Sequence, residues 1–293
     1  MIQNLKKTKL LLFTIIFLLL SCKEEKYESQ VNDEPLAKCL DGYATFTKDG
    51  IEHTYECKDY DLIGYVSLDE MDATLGNDCW GWTDLQTAKE YVLMGVENGT
   101  AIIDISEPNQ PNYLGKIPTA TVSSMWRDIK VYNNHAFIVS EADDHGMQVF
   151  NLEQLRGLST KQKFSPEYTY KGYGDSHNIA INTESGYAYT AGAGNSRNPI
   201  GIHALNIKEP TNPKLELQIS DFGYSHDAQI VNYKGPDLDY FGKEIYVGSN
   251  ETKVIFVDVS DKRDPKLISE FFYDDEYTHQ SWLTEDHRYA LLG

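Results

Sequence analysis

The sequence predicts an all-β fold, a β-propeller built from four-stranded blades of about 50 residues each. Three observations carry this. The triplets Ser176-His177-Asn178, Ser225-His226-Asp227 and Thr278-His279-Gln280 return at that spacing, and segments around Trp80 and around Trp126-Arg127-Asp128 fall on it as well. Each triplet opens a short apolar run. Each period holds several such runs, separated by turn residues and nearly free of helical periodicity. The innermost strand of every propeller blade lines a central channel, so a polar marker on one strand of each unit has a reason to recur. A β-sandwich offers no such reason.

The elements follow in order. A first strand comes after each marker, at 128–131, 178–181, 227–231 and 280–283. A second, aromatic or apolar, runs into a small residue at 91–95, 136–140, 187–191 and 244–248. A third follows a polar turn at 100–106, 147–152, 200–207 and 253–260. A proline-bearing turn then leads to a weaker fourth strand, as at 213–219. The best helix candidate, 152–158, is one or two turns within a connection. Four units are whole, and a fifth begins at Thr278-His279-Gln280 and stops within its second strand. Because exposed sheet edges are avoided, the expectation is a longer native protein with more blades. The alternative is closure by the segment 62–66, which could supply an outer strand.

The first 21 residues are expected to be removed. Lys6, Lys7 and Lys9 precede an apolar stretch, 10–20, too short to span a bilayer,. It ends in Leu19-Leu20-Ser21-Cys22, which resembles a bacterial lipobox and implies cleavage before Cys22 and its lipidation. An ordinary signal peptide with an incidental cysteine is the other reading. Lys23-Glu24-Glu25 resembles a surface-export signal of some outer-membrane lipoproteins. Residues 22–38 then read as a flexible tether, 39–61 as a disulfide-closed segment and 62–293 as the propeller. Cys39 and Cys57 flank a short loop with a turn at Lys48-Asp49-Gly50 and suit a disulfide in an exported protein. Closing that loop contributes roughly 3 kcal/mol in the chain-entropy model. Cys79, beside Trp80, is read as a small buried hydrophobe, with a reactive thiol as the alternative. The formal charge is −19. Without the leader it is −22, from 23 basic and 45 acidic residues. That balance speaks against nucleic acid and anionic membranes as partners, and suits solubility or cation binding.

Several strings carry a family resemblance. They are Asn77-Asp78-Cys79-Trp80-Gly81-Trp82-Thr83-Asp84, Asn98-Gly99-Thr100-Ala101, the run 119–131 around Trp126-Arg127-Asp128, His145-Gly146-Met147-Gln148-Val149-Phe150, and Tyr277-Thr278-His279-Gln280-Ser281-Trp282. Together, from about Cys39 to the last residue, they resemble the choice-of-anchor B family, whose members carry LVIvD-type repeats. The resemblance implies a secreted β-propeller held at the cell surface by an anchor, here a lipid on the outer membrane. It supports the Cys39–Cys57 pair and a longer native chain. It implies no activity.

The candidate chemistry sits at the markers Trp80, Arg127, His177, His226 and His279, with Asp128 and Asp227 beside them. Three histidines on neighbouring inner strands could converge on a divalent zinc, copper or iron ion, with Asp128 or Asp227 in support. They could instead bond only water and the next blade, or serve acid–base chemistry. Glu141, Asp143, Asp144 and His145 form a carboxylate-rich loop that either holds calcium or is a solvated turn. Asp104-Ile105-Ser106 and Asp258-Val259-Ser260 are turn chemistry. Gly192-Ala193-Gly194-Asn195 is a hairpin turn, since no helix follows to make a phosphate loop. There is no nucleophile elbow, zincin motif or Cys-x-x-Cys. Ser176 and His177, as strand neighbours, point to opposite faces. The leading expectation is a binding module for a surface protein or glycan. A metal-dependent enzyme is the runner-up.

Overall fold

The computed structural model describes residues 34–195, 198–272 and 277–293. The expected leader, Cys22 and most of the expected tether lie outside them. Among the described residues are four antiparallel four-stranded blades. They are Gly76–Asp84, Lys89–Val96, Gly99–Asp104 and Asn112–Pro118; Arg127–Tyr132, His135–Ser140, Met147–Asn151 and Tyr168–Tyr170; Asn178–Asn182, Tyr187–Ala191, Ile202–Asn206 and Lys214–Ile219; and Asp227–Asn232, Glu244–Ser249, Lys253–Asp258 and Lys266–Phe272. Ser281–Leu283 and Ala290–Leu292 form a further antiparallel pair. The inner strands stand side by side in sequence order, each packed against the inner strand of the blade before it. This is the predicted propeller arrangement.

The middle strands are buried on both faces, which is why they read as continuous apolar runs and not as alternating ones. Gly99–Asp104 and Glu244–Ser249 are buried along their whole length. Side chains of consecutive blades interlock into shared cores. Tyr91, Leu93 and Ile102 of the first blade meet Ile129, Ile138 and Phe150 of the second. Phe137 and Val149 of the second meet Ile179, Ala188 and Leu205 of the third.

The repeat extends to local chemistry. The third strand of every blade ends in an Asx turn: Oδ1 of Asp104, Asn151, Asn206 and Asp258 accepts the amide two residues on, at 2.9–3.1 Å. Such turns stop a strand by offering the backbone a local partner. The pairing of third and fourth strands slips at the same place in three blades, between Ile102 and Ile103, Ala204 and Leu205, and Phe256 and Val257. Bulges of this kind increase the local twist.

Three features differ from the sequence reading. The helix candidate shrinks to a 3-10 turn, Leu152–Leu155. The chain then sends Gln162–Lys163 back to pair parallel with Gly115 and Lys116 on the outer edge of the first blade. Two residues carry no periodic signal, so sequence gives no warning of this tie. Residues 62–66 do not act as an outer blade strand. Leu62 bridges Ala37, and Gly64 lies so close to Pro108 and Pro111 that an added Cβ would overlap Pro108 O. Leu36 and Ala37, assigned to the tether by sequence, therefore already belong to the folded segment.

Cys39 and Cys57 are bonded, with Cα atoms 5.9 Å apart. They staple the hairpin Tyr43–Lys48/Ile51–Glu56, whose two-residue turn puts Asp49 and Gly50 at φ of 53° and 78°. Positive φ at both positions matches the twist of the strands. Cys79 is exposed on the inner strand of the first blade and is not the buried hydrophobe expected. Its strand has no preceding blade beside it among the described residues.

Two histidines are wholly buried in the seams between blades. His145 and His203 are both pushed down to about 4, by burial, and for His145 also by the nearby Arg127 and Lys171 charges. Between pH 4 and 6.5 the unfolded chain binds protons at these rings that the folded chain refuses. Their contribution is therefore complete above pH 6.5 and is lost as pH falls toward 4, by about 3 kcal/mol per ring. Denaturant unfolding of the parent and of His203→Leu across this window should show a shallower pH dependence in the variant. Parallel curves would show that His203 is not buried and neutral.

Candidate functional site

All inner strands begin at the same end of the channel, so residues just before them form its rim. Trp126, His177, His226 and His279 meet there in a row. Ring centroids are 5.8 Å apart for Trp126 and His177, 4.0 Å for His177 and His226, and 4.8 Å for His226 and His279. Tyr277 stands edge-on to His226 at 5.5 Å. Trp126 is 44% exposed and Tyr277 50%. Below the rim lies a cavity of about 610 Å³ whose wall includes Trp80, Asp128, Lys130, Asn178 and Asp227.

The structure thus brings the three marker histidines together in one row of neighbouring rings. His177 Nδ1 is 2.6 Å from Glu141 Oε1. His226 Nδ1 is 3.1 Å from the carbonyl oxygen of His279, an acceptor, so this nitrogen carries the proton. The rings are tilted to one another by 41° and 44°. Among the described residues no group of three or more His, Cys, Asp and Glu is placed to hold a metal ion. Burial, aided by the neighbouring His177, holds His226 below the usual imidazole value. The hydroxyl members of the triplets serve the seams. Ser176, Ser225 and Thr278 are buried, and their backbones bond across to the preceding blade: Ser176 N to Ser140 O, Gly192 N to Ser225 O, and Thr278 N to Glu251 O.

Arg127 lies at the cavity wall, but its guanidinium is packed between the first and second blades. The residue is 1% exposed; Nε donates to Val96 O at 3.2 Å, and Nη1 lies 2.9 Å from His145 Nε2. Burial pulls it down to about 10, still fully charged at neutral pH. The carboxylate-rich loop is divided in the same way. His145 belongs to this buried pair and Glu141 to His177, so the loop does not converge on a calcium position.

Asp128 is almost wholly buried and occupied. Oδ1 accepts from Ile129 N and, at 2.5 Å, from Lys130 Nζ; Oδ2 accepts from Ile179 N of the next blade at 2.8 Å. These bonds give Asp128 a structural role at the cavity wall. Asp227, at the equivalent repeat position, accepts at Oδ1 from its own neighbour Ala228 N and otherwise lines the cavity. Burial raises its carboxyl above the ordinary value. Trp80 lines the cavity with the Lys130 ammonium 4.5 Å above its ring, a cation–π contact,. Asp78, pushed up to about 7 by burial and by a hydrogen bond with Asp128, completes this wall. Sequence reasoning passed over Lys130 and Asp78. Their only signal is position, two residues from Asp128 and two from Trp80.

The family model of the LVIVD repeat matches residues 84–119, which span the second, third and fourth strands of the first blade. No curated protein matches. Among solved structures, a Bacteroides uniformis protein named as a candidate 6-phosphogluconolactonase is 13% identical, covering 85% of this chain and 70% of that one, at a TM-score of 0.49. A chain of a nidogen/laminin complex is 12% identical, covering 80% and 77%, at 0.41. A Lactobacillus plantarum protein is 16% identical, covering 67% of this chain and 55% of that one, at 0.43.

The contrast between the two aspartates gives a test. Asp128→Ala removes the acceptor of two buried amides and of Lys130 and should destabilise by about 2–4 kcal/mol in denaturant unfolding. Asp227→Ala removes one local bond and should cost about 1 kcal/mol or less. Equal losses would contradict the separate roles.

Proposed function

We propose that this protein is a lipid-anchored, surface-exposed β-propeller that binds a protein or glycan ligand at the mouth of its channel. The observation that carries the reading is the rim itself: five rings from four successive units, three of them exposed, stand over a polar cavity. Aromatic rings offer large rigid contact area at small entropic cost, and concave sites with a few placed polar groups are the usual form of ligand sites. The propeller with its LVIVD repeat is consistent with a protein-binding module. The anchor is supported by the lipobox-like Leu19-Leu20-Ser21-Cys22 and by the choice-of-anchor B resemblance; the export signal at Lys23-Glu24-Glu25 supports the surface. No observation favours the metal-dependent enzyme over this reading: among the described residues no group of three or more His, Cys, Asp and Glu is placed to hold a metal ion.

Probing glycan and peptide arrays with the soluble domain should give hits that Trp126→Ala and Tyr277→Ala abolish. Asn133→Ala, in the turn at the far end of the same inner strand, should leave them unchanged. Hits insensitive to both rim variants would place binding elsewhere. For the anchor, the protein expressed with its leader should partition with membranes, and Cys22→Ser should release it. A variant that stays membrane-bound to the same degree refutes the lipid.

A further inference from the structure

We propose that Asp227 and the cavity wall around it form a site for a primary ammonium group carried by a ligand, the counterpart of the position that Lys130 fills from within the chain. This rests on the channel-mouth reading and specifies the chemistry of its ligand.

The argument is a comparison of repeats. The triplets align Asp128, Asn178 and Asp227 on consecutive inner strands, and two residues later Lys130, Ala180 and Gln229. Residues two apart on a strand share a face. In the second blade the pair is complete. The Lys130 ammonium sits 2.5 Å from Asp128 Oδ1, 3.9 Å from Asp78 Oδ2 and 4.5 Å over the Trp80 ring. The channel therefore already holds one ammonium between carboxylates and an aromatic face.

In the fourth blade the carboxylate is present and the lysine is not. Gln229 stands in the lysine position, buried, with its Oε1 committed to Leu283 N at 2.8 Å. Asp227 lines the cavity and makes no ion pair with lysine or arginine among the described residues. In the third blade the same position is Ala180, which brings no charge. Asn178 borders the cavity too. This side of the wall thus offers a carboxylate acceptor and no cation of its own.

An ammonium has three donors and no acceptor, which is the complement of that surface. Burial raises the Asp227 carboxyl, against the opposing pull of Lys130, His177 and His279, so the carboxylate is incompletely compensated and gains from an arriving cation in direct contact,. The formal charge of −19 favours approach of cations over anions,. A free polyamine and the lysine side chain of a protein partner share this chemistry.

Calorimetric titration at low salt, with spermidine and with the peptide acetyl-Gly-Lys-Gly-amide, tests the site. Saturable one-site binding of either is expected. Binding of the peptide alone points to a protein lysine, and binding of spermidine alone to a polyamine. Asp227→Asn keeps the acceptor for Ala228 N and should weaken binding by roughly tenfold or more, the worth of a charged hydrogen bond. Gln229→Lys, which copies the second blade, should abolish binding by filling the site internally. Thermal unfolding of each variant confirms that it is folded. The proposal is overturned by no binding of either probe, by Asp227→Asn binding as tightly as the parent, or by equal binding of acetyl-Gly-Gln-Gly-amide. Array hits that depend on Trp126 and Tyr277 would in those cases leave the channel-mouth reading standing; without them both readings fall.

Discussion

Each blade begins with a strand that has a backbone partner on one side only. Its other edge faces the channel and the preceding blade, and amides there cannot be left bare in a packed seam. The chain solves this with side-chain and backbone acceptors from neighbouring blades. Asn77 accepts the amide of Arg127, Asp128 that of Ile179, and Gln229 that of Leu283, at separations of 50, 51 and 54 residues. Ser140 and Glu251 accept the amides of Ser176 and Thr278 through their carbonyls. Polar residues at the channel are thus first a condition of stacking blades. They become a site only where the seam does not use them up.

That surplus separates residues that look equivalent in sequence. Asp128 spends both oxygens on two amides and a lysine. Asp227 bonds its own neighbour and leaves the rest of its carboxylate at the cavity, because Gln229 has taken over the cross-blade bond. The histidines divide similarly. The rim histidines stand where the strands start, half-open to solvent. His203 lies on a third strand, edge-on to Tyr173 with centroids 5.3 Å apart, and is part of the core. Residue type therefore says little about role here; the place of the residue within the blade says much more.

The period was legible because the requirement just described is periodic. Every inner strand needs a polar residue near its start, and every middle strand needs apolar residues on both faces. The Asx turns at Asp104 and Asp258 were visible for the same reason, and Asn151 and Asn206 complete the set. The geometry of the site was less legible. Whether three equivalent histidines converge or stack depends on ring torsions and on partners such as Glu141, which lies 36 residues before His177. Whether Arg127 faces the channel or the seam depends on His145, 18 residues later. The exposure of Cys79 depends on what flanks its strand, which no local pattern encodes.

The Arg127 seam shows how far such non-local dependence goes. A buried guanidinium ordinarily requires a carboxylate, and none contacts this one among the described residues,. Its partners are a carbonyl oxygen and a neutral imidazole. The imidazole can accept only because its other nitrogen is held as a donor: His145 Nδ1 lies 2.9 Å from the carbonyl of Gly146, which fixes the tautomer and turns the Nε2 lone pair toward Arg127. Gly146 in turn has φ of 67°, and its Cβ would fall 2.1 Å from Tyr170 O, so only glycine fits,. A backbone conformation thus selects a tautomer, and the tautomer accommodates a buried charge beside the channel. A lysine in place of Arg127 would carry one ammonium where the guanidinium spreads its donors over two partners, so the exchange would not be conservative.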